Sequence, residues 1–90
     1  MQLVDYIELN ELKMIHFSFS LMKEVDEKVK SKTFFYKNQI SHYVNDCVDH
    51  FLKSLQVKTS LHTIYKAEIH QLIRQKLNQI YQKYRLFTCL

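Results

Sequence analysis

A mainly α-helical fold with one short β-strand is what this sequence predicts, and three observations predict it. Glycine and proline are both absent from the 90 residues. A multi-hairpin β fold normally needs glycine at positive φ in its turns, so few and short connections between helices are expected instead. Second, apolar residues recur at i, i+3, i+4 and i+7 over two long stretches, the helical period. Third, residues 14–21 break that period and alternate apolar with other residues, the strand period. Hydrophobic residues make up 47% and charged residues 24%. That balance suits a folded chain and argues against wholesale disorder.

The predicted strand is MIHFSFSL. Ile15, Phe17, Phe19 and Leu21 alternate with Met14, His16, Ser18 and Ser20. As a strand, the first four share one face. A competing helical reading exists, because Leu12, Ile15, Phe19 and Met22 are spaced by three, four and three. On that reading Phe17 leaves the stripe. Residues 22–31 form a short amphipathic helix with Met22, Val25 and Val29 inward. Glu24–Lys28 and Asp26–Lys30 are i, i+4 pairs in the favourable order.

Segment 38–56 has the clearest period. Ile40, Tyr43, Val44, Cys47, Val48, Phe51, Leu52 and Leu55 make one stripe, and Ser41, His42, Asn45, Asp46, Asp49 and Lys53 take the opposite face. Thr33 or Asn38 is the expected cap. Segment 61–84 is a second long helix, with Leu61, Ile64, Tyr65, Ile69, Leu72, Ile73, Leu77, Ile80, Tyr81 and Tyr84 as its stripe. Ser60 or Thr59 is its expected cap, and Lys83 and Arg85 suit the negative end of its dipole.

The organisation expected is an arm or short helix over 1–13, a core unit over 14–56, and a C-terminal helix with tail over 57–90. The formal net charge is +4. It is uneven: residues 1–12 carry −3, 13–37 carry +3, 38–56 carry −1 and 57–90 carry +5. The two cysteines, Cys47 and Cys89, make neither a zinc pattern nor a disulfide framework, so a reducing, cytoplasmic setting is expected. The opening residues lack the basic-then-apolar order of a secretory signal. No apolar run approaches the roughly 20 residues of a membrane span.

One strand, a short helix and a longer helix, in that order, resemble the ribbon-helix-helix family over residues 14–55. This is the DNA-binding domain of the Arc and methionine-repressor type, and of plasmid partition and relaxosome accessory proteins. The residues carrying the resemblance are His16-Phe17-Ser18-Phe19-Ser20-Leu21, Met22-Lys23-Glu24-Val25, Val29, and the stripe Ile40, Val44, Val48 and Phe51. The resemblance implies an intertwined homodimer whose paired strands form a ribbon in the major groove of double-stranded DNA. It makes His16, Ser18 and Ser20 the base readers. Lys13, Lys32, Lys37 and Asn38 become phosphate contacts, and Ile15, Phe17, Phe19, Leu21, Ile40, Val44, Val48 and Phe51 the dimer core. Where the family usually has glycine between its helices, this chain has Lys32-Thr33-Phe34-Phe35-Tyr36.

The function expected from this resemblance is a sequence-specific DNA-binding homodimer. It would be a transcriptional repressor or a plasmid or viral accessory regulator, with higher assembly through the C-terminal helix. The alternative is an all-helical protein–protein interaction module, an adaptor or inhibitor without nucleic acid. There residues 2–31 form one long helix packed on 38–56 and 61–84. No catalytic or cofactor motif is present, so neither an enzyme nor a small-molecule substrate is expected. His42, Asp46 and His50 fall at i, i+4 and i+8. The two histidines lie about 12 Å apart along a helix, too far to share a metal ion. His62 and His70 have the same spacing.

Overall fold

The structure, a computed structural model, describes residues 3–87, with side-chain surroundings from residue 11 onward. The chain forms α1 (Leu3–Lys30), α2 (Lys37–Ser54) and α3 (His62–Tyr84), the last preceded by a 3-10 turn at Thr59–Leu61. The bundle is elongated, 47 × 20 × 18 Å. No strand occurs among the described residues, and the only pairing of that kind is an isolated bridge between Tyr36 and Phe87.

This corrects the fold expected from the alternation. The mainly helical class stands, but there is no ribbon, and residues 14–21 are the middle of α1. The separate short helix over 22–31 is the last part of the same element, and the alternative reading of one long first helix describes the architecture. The reason is local. Nothing from Leu3 to Lys30 breaks a helix, and a lone strand would leave its backbone donors and acceptors unmatched. Within α1 every interior N–H and C=O is satisfied by its own helix.

The core is one cluster. It takes Met14, Leu21, Met22, Val25 and Val29 from α1, Ile40, Val44, Val48 and Leu52 from α2, and Ile69, Ile73 and Ile80 from α3. The α2 stripe is therefore buried as its period predicts. Helix directions follow from the side-chain pairs. Phe17 of α1 stacks on Phe51 of α2 with ring centroids 4.1 Å apart, while Tyr43 of α2 bonds Glu24 of α1, so α1 and α2 are antiparallel. Tyr84 at the end of α3 donates to Asp26 near the end of α1 at 2.7 Å, so α1 and α3 run parallel.

All three helices stop in the same way, without glycine. Lys32, Gln56 and Arg85 follow the ends of α1, α2 and α3 with φ of 63°, 58° and 52°. Each closes a pair of hydrogen bonds back to its helix. Lys32 N–H reaches the Val29 carbonyl (3.0 Å) and Thr33 N–H the Lys28 carbonyl (2.8 Å). Gln56 N–H reaches Lys53 (3.0 Å) and Val57 N–H reaches Leu52 (3.2 Å). Arg85 N–H reaches Gln82 (3.3 Å) and Leu86 N–H reaches Tyr81 (3.1 Å). This is the Schellman arrangement, in which a left-handed residue satisfies the orphan carbonyls.

The starts of α2 and α3 correct the expected caps. Tyr36 is the capping residue of α2, and the Gln39 carboxamide oxygen accepts the Phe35 and Tyr36 N–H groups at 2.8 and 3.0 Å. Thr33 lies in the turn before it, and Asn38 lies inside the helix. Leu61 precedes α3 with no side-chain cap, while His62 Nε2–H donates to the Val57 carbonyl at 2.9 Å.

Candidate interaction surface

Helix α1 is apolar around more than one face. At 100° per residue, Phe17 lies on the flank toward α2 and the core residues come next. Ile15 and Phe19 lie on the far flank, beside α3, and Leu12 lies past them, bounding a separate depression with Lys13, His16, Phe17, Ser20 and Phe51. All three are open to solvent: Leu12 is 65% exposed, Ile15 40% and Phe19 74%. Leu72 of α3, 48% exposed, borders the same face.

Ile15, Phe19 and Leu72 line a groove between α1 and α3. Its larger hollow, about 510 Å³, is bounded by Ile15, Ser18, Phe19, Met22, Lys23, Asp26, Leu72 and Lys76. A second depression, bounded by Glu11, Met14, Ile15, Glu68, Gln71 and Leu72, continues it toward the start of both helices. Ile15 and Leu72 belong to both, so the groove is continuous from Glu11 to Asp26. That is about 22 Å at 1.5 Å per residue.

Ser18 makes the hollow deep. It is buried, 5% exposed, and its hydroxyl donates to the Met14 carbonyl one turn back at 2.7 Å. The back-bond satisfies the hydroxyl without a partner from another helix. A small side chain at this register leaves space that a leucine would fill.

The two ends of the groove differ in charge. Glu11 and Glu68 lie at one end, Lys23 and Lys76 at the other, and all four side chains are exposed. Asp26 shares the basic end but is engaged within the fold. It accepts from Tyr84 and lies 3.7 Å from Lys83. The Tyr84 hydrogen bond holds its carboxyl below the ordinary value, outweighing the opposing cost of burial, and the Lys83 and Lys76 charges add to it.

Of the residues expected to read DNA, His16 and Ser20 share one shallow depression with Lys13, and Ser18 is not brought to it. With 14–21 helical, His16 and Ser20 are exposed on one side and Ser18 is buried on another. Three positions at intervals of two share a face only in a strand. Base reading by His16, Ser18 and Ser20 through a ribbon is thereby corrected. Lys13 is exposed beside His16 and Ser20, while Lys32 and Asn38 are exposed elsewhere, Lys32 as the left-handed residue after α1. Lys37 is half-buried, its ammonium 5.2 Å from the centre of the Tyr81 ring.

The expected dimer core divides as well. Leu21, Ile40, Val44 and Val48 are buried, and Phe17 and Phe51 are half-buried against each other, all within one chain. Ile15 and Phe19 point outward. The expectation of an inward Phe19 and an outward Ser18 is reversed, because the faces follow the 3.6-residue period and not the period of two. The helical spacing of Leu12, Ile15, Phe19 and Met22 was the signal that finds this face. Glu11, Lys23, Glu68 and Lys76 carried no signal of their own until the parallel packing of α1 and α3 aligned them.

Elsewhere the polar groups serve the fold. Lys66 pairs with Asp49 at 2.6 Å and pulls its carboxyl below the ordinary value. Burial pushes the Tyr43 phenol up, with the Glu24 hydrogen bond adding to it. Burial likewise raises the Cys47 thiol, which sits half-buried against the core and suits packing more than reactivity. Cys89 lies outside the described residues. His42 and Asp46 approach to 3.6 Å on an exposed face. Among the described residues no group of three or more His, Cys, Asp or Glu is placed to hold a metal ion, and no helix is long and apolar enough to cross a membrane. No family model matches this chain, and neither a curated protein nor a solved structure matches it.

Proposed function

We propose that this chain is an all-helical protein–protein interaction module whose docking surface is the α1/α3 groove. One observation carries the reading: Ile15, Phe19 and Leu72 lie exposed together along a continuous groove beside a closed core. Scattered exposed apolar residues are ordinary, but a contiguous row rimmed by charges marks a site of association. The groove suits an apolar helical surface laid along it, which would complete a four-helix arrangement. In that arrangement the Phe19 ring is the anchor, since large aromatics in a desolvated centre dominate such interfaces.

Photo-crosslinking in cells that make the chain tests this. A benzoylphenylalanine at position 19 is expected to give protein adducts of discrete mass, while the same group at the exposed position 42 on α2 gives none. Adducts to nucleic acid alone, or none from position 19, would overturn the reading.

A further inference from the structure

We infer that the partner in this groove is a second copy of the chain, docked face to face with its helices antiparallel to those of the first. The inference rests on the interaction-module reading and adds the identity of the partner.

Charge order along the groove carries it. Because α1 and α3 are parallel, their charges line up: Glu11 with Glu68 at one end, Lys23 with Lys76 at the other. A two-fold axis across the groove, in the plane of contact, exchanges the ends. Glu11 and Glu68 of each copy then meet Lys23 and Lys76 of its partner, and the match occurs twice. An axis running along the groove would set lysine on lysine and glutamate on glutamate, so the same charges reject the parallel pairing.

The centre of the groove suits the same axis. Midway between positions 11 and 23 lies position 17, and the exposed Ile15 and Phe19 straddle that level. A two-fold axis there sets α1 of each copy over α1 of the other, and brings Phe19 of each copy toward Ile15 of its partner. The projecting ring and the hollow over Ser18 lie side by side in one copy, which is the shape a self-complementary surface requires. Apolar side chains thus meet at the middle, with opposite charges at both rims, the usual anatomy of a specific interface.

Charge exchange between two variants tests the inference. The first variant is Glu11→Lys with Glu68→Lys, and the second is Lys23→Glu with Lys76→Glu. All four positions are exposed, and circular dichroism checks that the helices persist. In sedimentation equilibrium the unaltered chain is expected to dimerise. Each variant alone should dissociate roughly tenfold or more readily, through like charges at both rims. An equimolar mixture of the two should restore a dimer containing one of each. Should the unaltered chain stay monomeric while position 19 crosslinks to another protein, self-pairing falls and the module reading stands. A dimer indifferent to both variants and to Phe19→Ser would place the contact elsewhere and overturn the inference. A monomer without protein adducts overturns both readings.

Discussion

The Tyr84 hydroxyl donates to the Asp26 carboxylate across 2.7 Å, joining residues 58 positions apart in sequence. The bond ties the last turn of α3 to α1. It fixes the two helices parallel at the basic end of the groove, where Lys83 lies 3.7 Å from the same carboxylate.

Tyr84→Phe is expected to destabilise the fold by about 1 kcal/mol at neutral pH, below the roughly 1.5–3 kcal/mol of a hydrogen bond to a charged group because the pair is partly exposed. The sign with pH follows from the lowered Asp26 pKa. A carboxyl depressed in the folded state contributes its full share above the ordinary value of 3.8 and loses it as pH falls through the folded value. Urea unfolding at neutral pH and at pH about 2 should therefore show the gap between the two proteins shrinking in acid. A gap that persists or widens in acid would mean that the bond does not depend on the carboxylate charge.

Glycine in place of Lys32, Gln56 or Arg85 is expected to stabilise the chain. An L-residue with a side chain costs about 1–2 kcal/mol in the left-handed region, and glycine's greater unfolded entropy offsets part of the gain. A net of roughly 0.5–1 kcal/mol for each is expected, read from thermal or urea unfolding. Destabilisation at all three positions would mean that the helices do not end in this way in solution.

Phe19 and Ile73 separate the helical account of residues 14–21 from the strand account. In the dilute chain, Phe19→Ser should change stability by less than about 0.5 kcal/mol, as at an exposed site. Ile73→Ala, in the core, should cost about 2–5 kcal/mol. A loss at Phe19 as large as that at Ile73 would return Phe19 to an interior.

How legible each element was depended on how many neighbours it has. Helix α2 packs with a single stripe, so Ile40, Val44, Val48 and Leu52 announce their burial by spacing alone. Helix α1 meets α2 through Phe17, the core through Leu21 and Val25, and the groove through Ile15 and Phe19. Its apolar arc covers roughly 220° of the circumference at 100° per residue. Over eight residues so wide an arc loses the helical period and imitates alternation, which is why Ile15, Phe17, Phe19 and Leu21 read as one strand face. Helix α3 shows the same effect: Ile69 and Ile73 are buried, yet Ile64 and Leu72 of the same stripe are exposed. The helix ends were illegible for another reason. Lysine, glutamine and arginine at 32, 56 and 85 carry no mark of positive φ, because glycine is the residue that normally signals it. The groove's charge order needed the register of α1 against α3, a long-range relationship that local spacing does not encode.

The most direct measurement of the docking claim is hydroxyl-radical footprinting of the unaltered chain, both in cells that make it and as dilute purified protein. Phe19 and Leu72 are the reporters, and Phe35 and Phe87, also exposed but away from the groove, are the references. Phe19 and Leu72 should label less in the cell than in the dilute chain, with Phe35 and Phe87 alike in both. Equal labelling of all four residues in the two states would contradict a covered α1/α3 groove.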